Sequence, residues 1–248
     1  MGRLKVAFFD LACCEGCQLQ VANLGETLLD LLGLVELVEF RELLTETCSG
    51  PIDLAFVEGS VVNAESEQRL REIRKRSALL VAYGSCATIG GVNGMNNHKP
   101  IIEVRATVYG EQPDWFPTAK PRALQQLVKV DYVIHGCPIH PDEFIKVLKA
   151  ALAGLPYQVP DYAVCVECIF NENVCLYDTG VTCLGPVTRA GCNAWCINNG
   201  NVCYGCRGLV SNPNLAGVEE VLKNHQLDAN QIANKMLMYN AALEKCDE

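Results

Sequence analysis

Between Cys165 and Cys206 the sequence reads C-V-E-C-x6-C-x7-C-x8-C-x3-C-x6-C-x2-C, eight cysteines in 42 residues with none adjacent to another. Gly180, Gly185, Gly191, Gly200 and Gly205 punctuate the stretch and aliphatic side chains are few. Such a segment cannot bury enough apolar surface to fold around its own core. Bound metal then has to supply much of its folding free energy. Eight thiols divide into two sets of four, the ligand count of a tetrahedral zinc or of a cubane iron-sulfur cluster.

Both metals fit part of the pattern. Cys165-x2-Cys168 and Cys203-x2-Cys206 are the knuckles of a zinc ribbon, but Cys175, Cys183, Cys192 and Cys196 would then form a second site with no knuckle. Iron-sulfur ligation accepts irregular spacing, because loops reach the four corners of a cubane and glycines let backbone N–H groups approach the sulfur. Chain order groups Cys165, Cys168, Cys175 and Cys183 in one set and Cys192, Cys196, Cys203 and Cys206 in the other.

The rest of the chain reads as alternating strands and helices. Leu4 to Phe9 is a β-forming run that ends in the loop D-L-A-C-C-E-G-C. One helical pattern follows, with Val21, Leu24, Leu28 and Leu31 on a stripe and Gly33 as its stop. Leu34 to Phe40 and Asp53 to Val57 are further strand candidates, with a helix near Glu65 to Arg76. Ala78 to Tyr83 breaks at Gly84-Ser85-Cys86, and Tyr132 to His135 breaks at Gly136-Cys137-Pro138. A helix starts near Pro141, buries Phe144, Val147, Leu148 and Ala151, and stops at Gly154. This alternation predicts an α/β fold with a doubly wound parallel sheet over residues 1–156, followed by an irregular cysteine-rich part over residues 157–248.

Ligands of such sheets bind outside the carboxyl ends of the strands. Cys14, Cys17, Cys86 and Cys137 all fall at such ends, so the fold should draw them to one edge as a third set of four. Cys14-x2-Cys17 spans two irons of a cubane with less backbone strain than adjacent Cys13 and Cys14 would need. Cys13, Cys48 and Cys246 keep no assigned role. Residues 93–121 show no clear period and read as a long loop, functional or packed on a partner. Near the C-terminus Ile232, Met236, Tyr239 and Leu243 form an apolar stripe behind an Asp228 cap, the mark of packing or of a subunit contact. His135 and His140 flank Cys137 and read as structural, and His98 and His225 as surface residues. Glu15, inside the cysteine loop, reads equally as a charge acting on a cluster and as a helix N-terminal carboxylate.

Composition removes other classes. The formal charge is -9, with 20 Lys+Arg against 29 Asp+Glu, and the short basic run Arg71 to Arg76 sits on a helix face, which excludes a nucleic-acid role. No apolar run reaches the roughly 20 residues that span a bilayer. The opening residues MGRLKVAFFD carry no h-region, cleavage site or twin-arginine motif, so a cytoplasmic chain is expected. Fifteen cysteines in a reducing compartment imply metal binding or catalytic duty rather than disulfides.

The combination of C-E-G-C after the first strand, G-S-C-A-T-I-G-G at 84–91, G-C-P at 136–138 and C-L-G-P-V-T-R-A-G-C at 183–192 resembles the small, electron-transfer subunit of cytoplasmic nickel-iron hydrogenases, over about residues 4–210. The resemblance implies a flavodoxin-like N-terminal domain. It implies a proximal 4Fe-4S cluster on Cys14, Cys17, Cys86 and Cys137, a distal one on Cys165, Cys168, Cys175 and Cys183, and a medial one on Cys192, Cys196, Cys203 and Cys206. It also implies a Ni-Fe centre in a separate large subunit, with FAD and NAD(P) in diaphorase-type flavin and iron-sulfur partners; some relatives reduce sulfur or polysulfide. Periplasmic members carry a histidine at the first distal position and a proline at one medial position, where this chain has Cys165 and Cys196, so three 4Fe-4S clusters are expected. Extra cysteines seen in some oxygen-tolerant members correspond to Gly16 and Gly91, which implies an ordinary cubane at the proximal position. Two rival readings are the one-cluster quinone-site subunit of respiratory complex I, which the N-terminal domain also resembles, and a zinc-stabilised binding module without redox role.

Overall fold

The computed structural model describes residues 3–243. Strand β1 (Leu4–Asp10) leads through the cysteine loop into α1 (Gly16–Ala22) and α2 (Glu26–Leu34). There follow β2 (Val35–Glu39), β3 (Ile52–Glu58), α3 (Ala64–Arg76), β4 (Ser77–Tyr83), α4 (Ser85–Ile89), α5 (Ile101–Tyr109), β5 (Tyr132–Ile134) and α6 (Pro141–Leu152). The five strands pair in parallel in the order β2-β1-β3-β4-β5. This is the doubly wound α/β order of flavodoxin, and its ligand crevice opens at the carboxyl ends where the order reverses, between β1 and β3.

Alternation along the strands builds a core on each face of the sheet. Val6, Phe8, Phe56, Tyr83 and Ile134 face α1, α2 and α6, where Val21, Leu31, Phe144 and Val147 meet them. Phe8 stacks between Phe40 and Phe56 with ring centroids 4.4 and 4.8 Å away. Ala7, Phe9, Ala55, Val57, Leu80 and Ala82 face the other way, onto Leu70 and Ile73 of α3. Burial on both faces is what a parallel sheet requires of its strands. Helix α3 begins with a reciprocal cap between Asn63 and Ser66.

Three expectations about local structure are corrected. The single helix expected after β1 is two, because the chain turns at Asn23 and Gly25 adopts a positive φ of 62° between α1 and α2. Gly33 does not end α2; it lies inside, and the parallel register that sets Val35 opposite Leu4 fixes where helix gives way to strand. Residues 93–121 are not all loop, since α5 occupies 101–109. It buries no residue and so has no one-sided apolar stripe to announce it, and Ile102, Val108, Trp115 and Phe116 stand exposed in this region.

Beyond Pro156 the chain forms α7 (Val164–Phe170), α8 (Trp195–Asn198), α9 (Leu215–Asn224) and α10 (Ala229–Asn240). The lack of any core expected here is also corrected. Val164, Ala194, Ile197 and Val202 cluster with Cys183 and Cys203, and Leu184, Val187, Val218, Leu222 and Ile232 form a second small cluster. The first is completed by cysteines, so its packing depends on what the thiols bind. Asp228 caps α10 as expected, and Met236 joins Ile232 in the second cluster. The side chain of Leu243 and all of Cys246 lie outside the described residues. No helix among the described residues is long and apolar enough to cross a membrane.

Candidate metal centres

Three cavities lined by thiols run through the molecule. The first, of about 60 Å³, is lined by Cys14, Cys17, Cys86 and Cys137 together with Glu58, Gly84, Ser85 and Pro138. Cys14 and Cys17 come from the loop after β1 and the start of α1, Cys86 from the first turn of α4, and Cys137 from the loop after β5. The carboxyl ends of the strands thus bring the four together. Gly84 makes their approach possible, since at its φ of 87° a Cβ would lie 2.5 Å from the Cys17 sulfur. Cys13 is not on this wall, and its thiol lies 3.6 Å from the Leu11 carbonyl.

Glu58, at the end of β3, is the residue at this site that the sequence reading passed over. It is 2 % exposed and accepts hydrogen bonds from the N–H groups of Cys17 (3.2 Å) and Gln18 (3.0 Å) at the start of α1. Burial pushes its carboxyl above the usual range, although the two N–H groups oppose that. Its signal was available in V-E-G-S, a charged residue at the end of an otherwise apolar run.

The second cavity, of about 180 Å³, is lined by Cys165, Cys168, Cys175 and Cys183, with Ile169, Leu176, Tyr177 and Ile197 supplying apolar walls. The N–H of Gly185 points at the Cys183 sulfur at 3.4 Å, and the Tyr177 hydroxyl donates to the Cys183 carbonyl. The third cavity, of about 400 Å³, is lined by Cys192, Cys196 and Cys206, with Trp195 and the Gly136-Cys137-Pro138 turn. Cys203 is not on its wall. It is buried beside Cys206, and its N–H donates to the Cys183 sulfur at 3.3 Å. Cys48 lines none of the three cavities, and sits near the Gly50 carbonyl.

Adjacent cavities share walls. Gly136, Cys137 and Pro138 line both the first and the third. The Ser85 hydroxyl donates to the Cys206 carbonyl, which adds a second tie. Glu167, between Cys165 and Cys168, accepts from the N–H groups of Gly191 (2.8 Å) and Ala194 (3.0 Å) and so joins the loops of the second and third. The spatial order is first, third, second.

The donor set suits a cluster. Burial pushes the Cys17 thiol well above its ordinary value and Cys86 and Cys203 up to about 12; Cys165 rises to about 11. Neighbouring thiols raise Cys86 and Cys165 further. Thiolates crowded in such surroundings require a compensating cation. Among the described residues no three His, Cys, Asp or Glu side chains converge as they would on one ion; the thiols surround spaces instead.

The histidines lie off these walls. His135 is buried, its Nδ1 2.9 Å from the Thr88 hydroxyl, and burial with Arg207 and Arg189 nearby drives it down to about 3, so it is neutral. His140 caps α6. His98 is exposed and the His225 ring lies 5.3 Å from that of Tyr177. Glu15 occupies a left-handed position, φ 61°, and pairs with Arg41 at 3.0 Å.

Residues 14–151 match the family described as NADH ubiquinone oxidoreductase, 20 Kd subunit. The chain belongs to this family. The match spans the first cavity and stops before the eight cysteines of the other two. Relatives that match nearly the whole chain come from hydrogenases. The sulfhydrogenase 2 subunit delta of Pyrococcus furiosus is 38 % identical over 94 % of this chain and 98 % of its own. A vhu-type subunit of the F420-non-reducing hydrogenase of Methanocaldococcus jannaschii is 32 % identical over 96 % of this chain and 93 % of its own. Among solved structures, a chain of an NAD+-reducing [NiFe]-hydrogenase in the H2-reduced state superposes with a TM-score of 0.55 at 27 % identity, covering 64 % of this chain and 96 % of that one. Within the family, the chain sides with the hydrogenase small subunits, as the sequence motifs implied.

Proposed function

We propose that this chain is the electron-transfer subunit of a cytoplasmic [NiFe] hydrogenase, passing electrons through three 4Fe-4S clusters between the Ni-Fe site of a large subunit and an NAD(P)-linked flavin and iron-sulfur partner. The observation that carries the reading is the contiguity of the cavities: the Cys137 turn belongs to the walls of two of them, and the Cys203 N–H reaches the sulfur of Cys183. Cys14, Cys17, Cys86 and Cys137 hold the proximal position in a sheet domain over residues 1–156. In the part from residue 157 on, Cys192, Cys196, Cys203 and Cys206 hold the medial position and Cys165, Cys168, Cys175 and Cys183 the distal one. A 4Fe-4S cluster in each set supplies a one-electron relay.

The chain's own residues prepare these positions. Gly84 and Gly185 leave room beside the sulfurs, and backbone N–H groups directed at Cys183 favour the thiolate. Splitting of H2 into two protons and two electrons is the work of the large subunit, and no residue of this chain is assigned to it. Ile169, Phe170 and Val174 stand exposed next to Cys168 and Cys175, which suits an outer face covered by a partner protein. The NAD(P) assignment leans on the likeness to the NAD+-reducing enzyme, which covers about two thirds of this chain.

Metal and sulfide analysis of the purified complex tests the reading. About twelve irons attributable to this chain with no zinc supports it. About four irons supports the complex I type of subunit, and two zincs in place of iron would sink both. Co-purified untagged partners name the acceptor: a flavoprotein with NAD(P)H-dependent dye reduction supports the proposed partner, and a deazaflavin-binding subunit or a heterodisulfide reductase replaces it.

A further inference from the structure

Arg207 directly follows Cys206 and is the largest fully buried side chain among the described residues, 1 % exposed. Its guanidinium forms a fork with Glu143, Nη1 to Oε2 at 2.6 Å and Nη2 to Oε1 at 2.8 Å, and Glu143 is itself 3 % exposed. Two further donors go to backbone: Nε to the Ala190 carbonyl at 2.8 Å and Nη1 to the His135 carbonyl at 2.6 Å. Ala190 lies two residues before Cys192 and His135 two before Cys137. One side chain therefore fastens the loop of the first cavity to the loop of the third. The space is closed so tightly that Gly191, at a φ of 115°, has to be glycine; any Cβ there would run into the guanidinium.

Stability does not explain the arrangement. Taking two charges out of water costs several kcal/mol for each ion, and a well-packed apolar pair of the same volume commonly does as well or better. A buried ion pair kept among thiols points to what its charge does to its surroundings. Of the two charges it is Arg207 that belongs to the loops of the third thiol set: it follows Cys206 directly and its Nε reaches the Ala190 carbonyl, two residues before Cys192, whereas Glu143 lies on α6.

We propose that Arg207 is a positioning residue of the electron path, which ties the Cys137 loop to the Cys192 loop and holds a positive charge against the medial thiol set, with Glu143 as its counter-charge. This rests on the three-cluster reading given above. A cation beside an iron-sulfur site favours the reduced state, so the charge sets the medial midpoint potential upward.

The test compares Arg207→Lys, Glu143→Gln and the double variant Arg207→Met with Glu143→Leu in the whole complex, by iron content and by redox titration followed by electron paramagnetic resonance. Relative to wild type, the medial midpoint is expected to fall in the double variant, to rise in Glu143→Gln, and to stay closer to wild type in Arg207→Lys than in the double variant. The distal midpoint should not move. If Glu143→Gln fails to fold with its unpaired cation, the other two variants decide. A double variant that keeps its iron and has the wild-type medial midpoint overturns the proposal. A wild-type complex with well under twelve irons in this chain overturns the cluster reading instead, before any variant is made.

Discussion

The backbone N–H of Cys203 donates to the sulfur of Cys183, 3.3 Å away, and the N–H of Leu184 returns to the carbonyl of Cys203 at 2.9 Å. Two thiol sets are thereby joined by one hydrogen bond between main chains and one from main chain to the Cys183 sulfur. Cys183→Ala removes both a proposed ligand and the acceptor of that hydrogen bond. The expected result is loss of about a third of the iron of this chain and loss of H2-driven reduction of the physiological acceptor, with H2 isotope exchange at the large subunit retained. Full iron content in the variant would show that Cys183 is not a ligand.

On the proposed reading, Cys86→Ala interrupts the path at its inner end. The proximal set falls to three thiols, so iron again drops by about a third, and H2-dependent dye reduction stops while the Ni-Fe spectroscopic signal persists. Dye reduction at the wild-type rate would remove Cys86 from the ligand set.

Gly84→Ala tests the clearance around the first cavity without deleting a sulfur. The new Cβ would sit 2.5 Å from the Cys17 sulfur at a backbone φ of 87°. Strain of about 1–3 kcal/mol follows from such a conformation, with a Tm lower by roughly 2–4 °C per kcal/mol for a chain of this size and reduced iron retention on warming. Gly50→Ala, where a Cβ would have its nearest neighbour at 3.8 Å and φ is not positive, is the matched control and should change neither.

His140 gives a pH dependence. Its Nδ1 accepts the N–H of Asp142 at the start of α6, at 3.3 Å. Burial holds the ring below the ordinary histidine range, against the pull of Asp142, Glu143 and Glu167, and Arg207 adds to the lowering. The unfolded chain therefore binds this proton more readily than the folded one, and stability is lost as pH falls below the ordinary value of about 6.5. His140→Asn keeps a cap acceptor and has nothing to titrate. Thermal unfolding at pH 7.5 and 5.5 should show a smaller acid-induced drop in the variant; equal drops would exclude His140 as the source.

The sheet was legible because its strands are short apolar runs that stop at small residues, as Ile52–Glu58 does at Gly59-Ser60 and Ser77–Tyr83 at Gly84-Ser85. The same feature gave Cys14, Cys17, Cys86 and Cys137 a common edge, since a doubly wound sheet gathers what stands at its strand ends. Helix α5 stayed hidden because it buries nothing. Glu58, Glu143 and Arg207 stayed hidden for another reason: a buried charge is recognised by its partner, and Arg207 and Glu143 meet across 64 positions of sequence. The break between α1 and α2 was obscured because Val21 and Leu31 lie on either side of it and still enter the same core, so the stripe continues where the helix does not.

The chain supplies the cysteines of the second cavity, residues 165–183, before those of the third, residues 192–206, although the third lies next to the first. Lengthening a sheet domain step by step at its C-terminus would therefore yield the far station before the near one. An intermediate ending between Cys183 and Cys192 would carry an outpost with nothing to link it to the interior. On the three-cluster reading, the two stations beyond the sheet are a single acquisition, gained or discarded together, and a trimmed version of this subunit has to hand over its electrons at the innermost site.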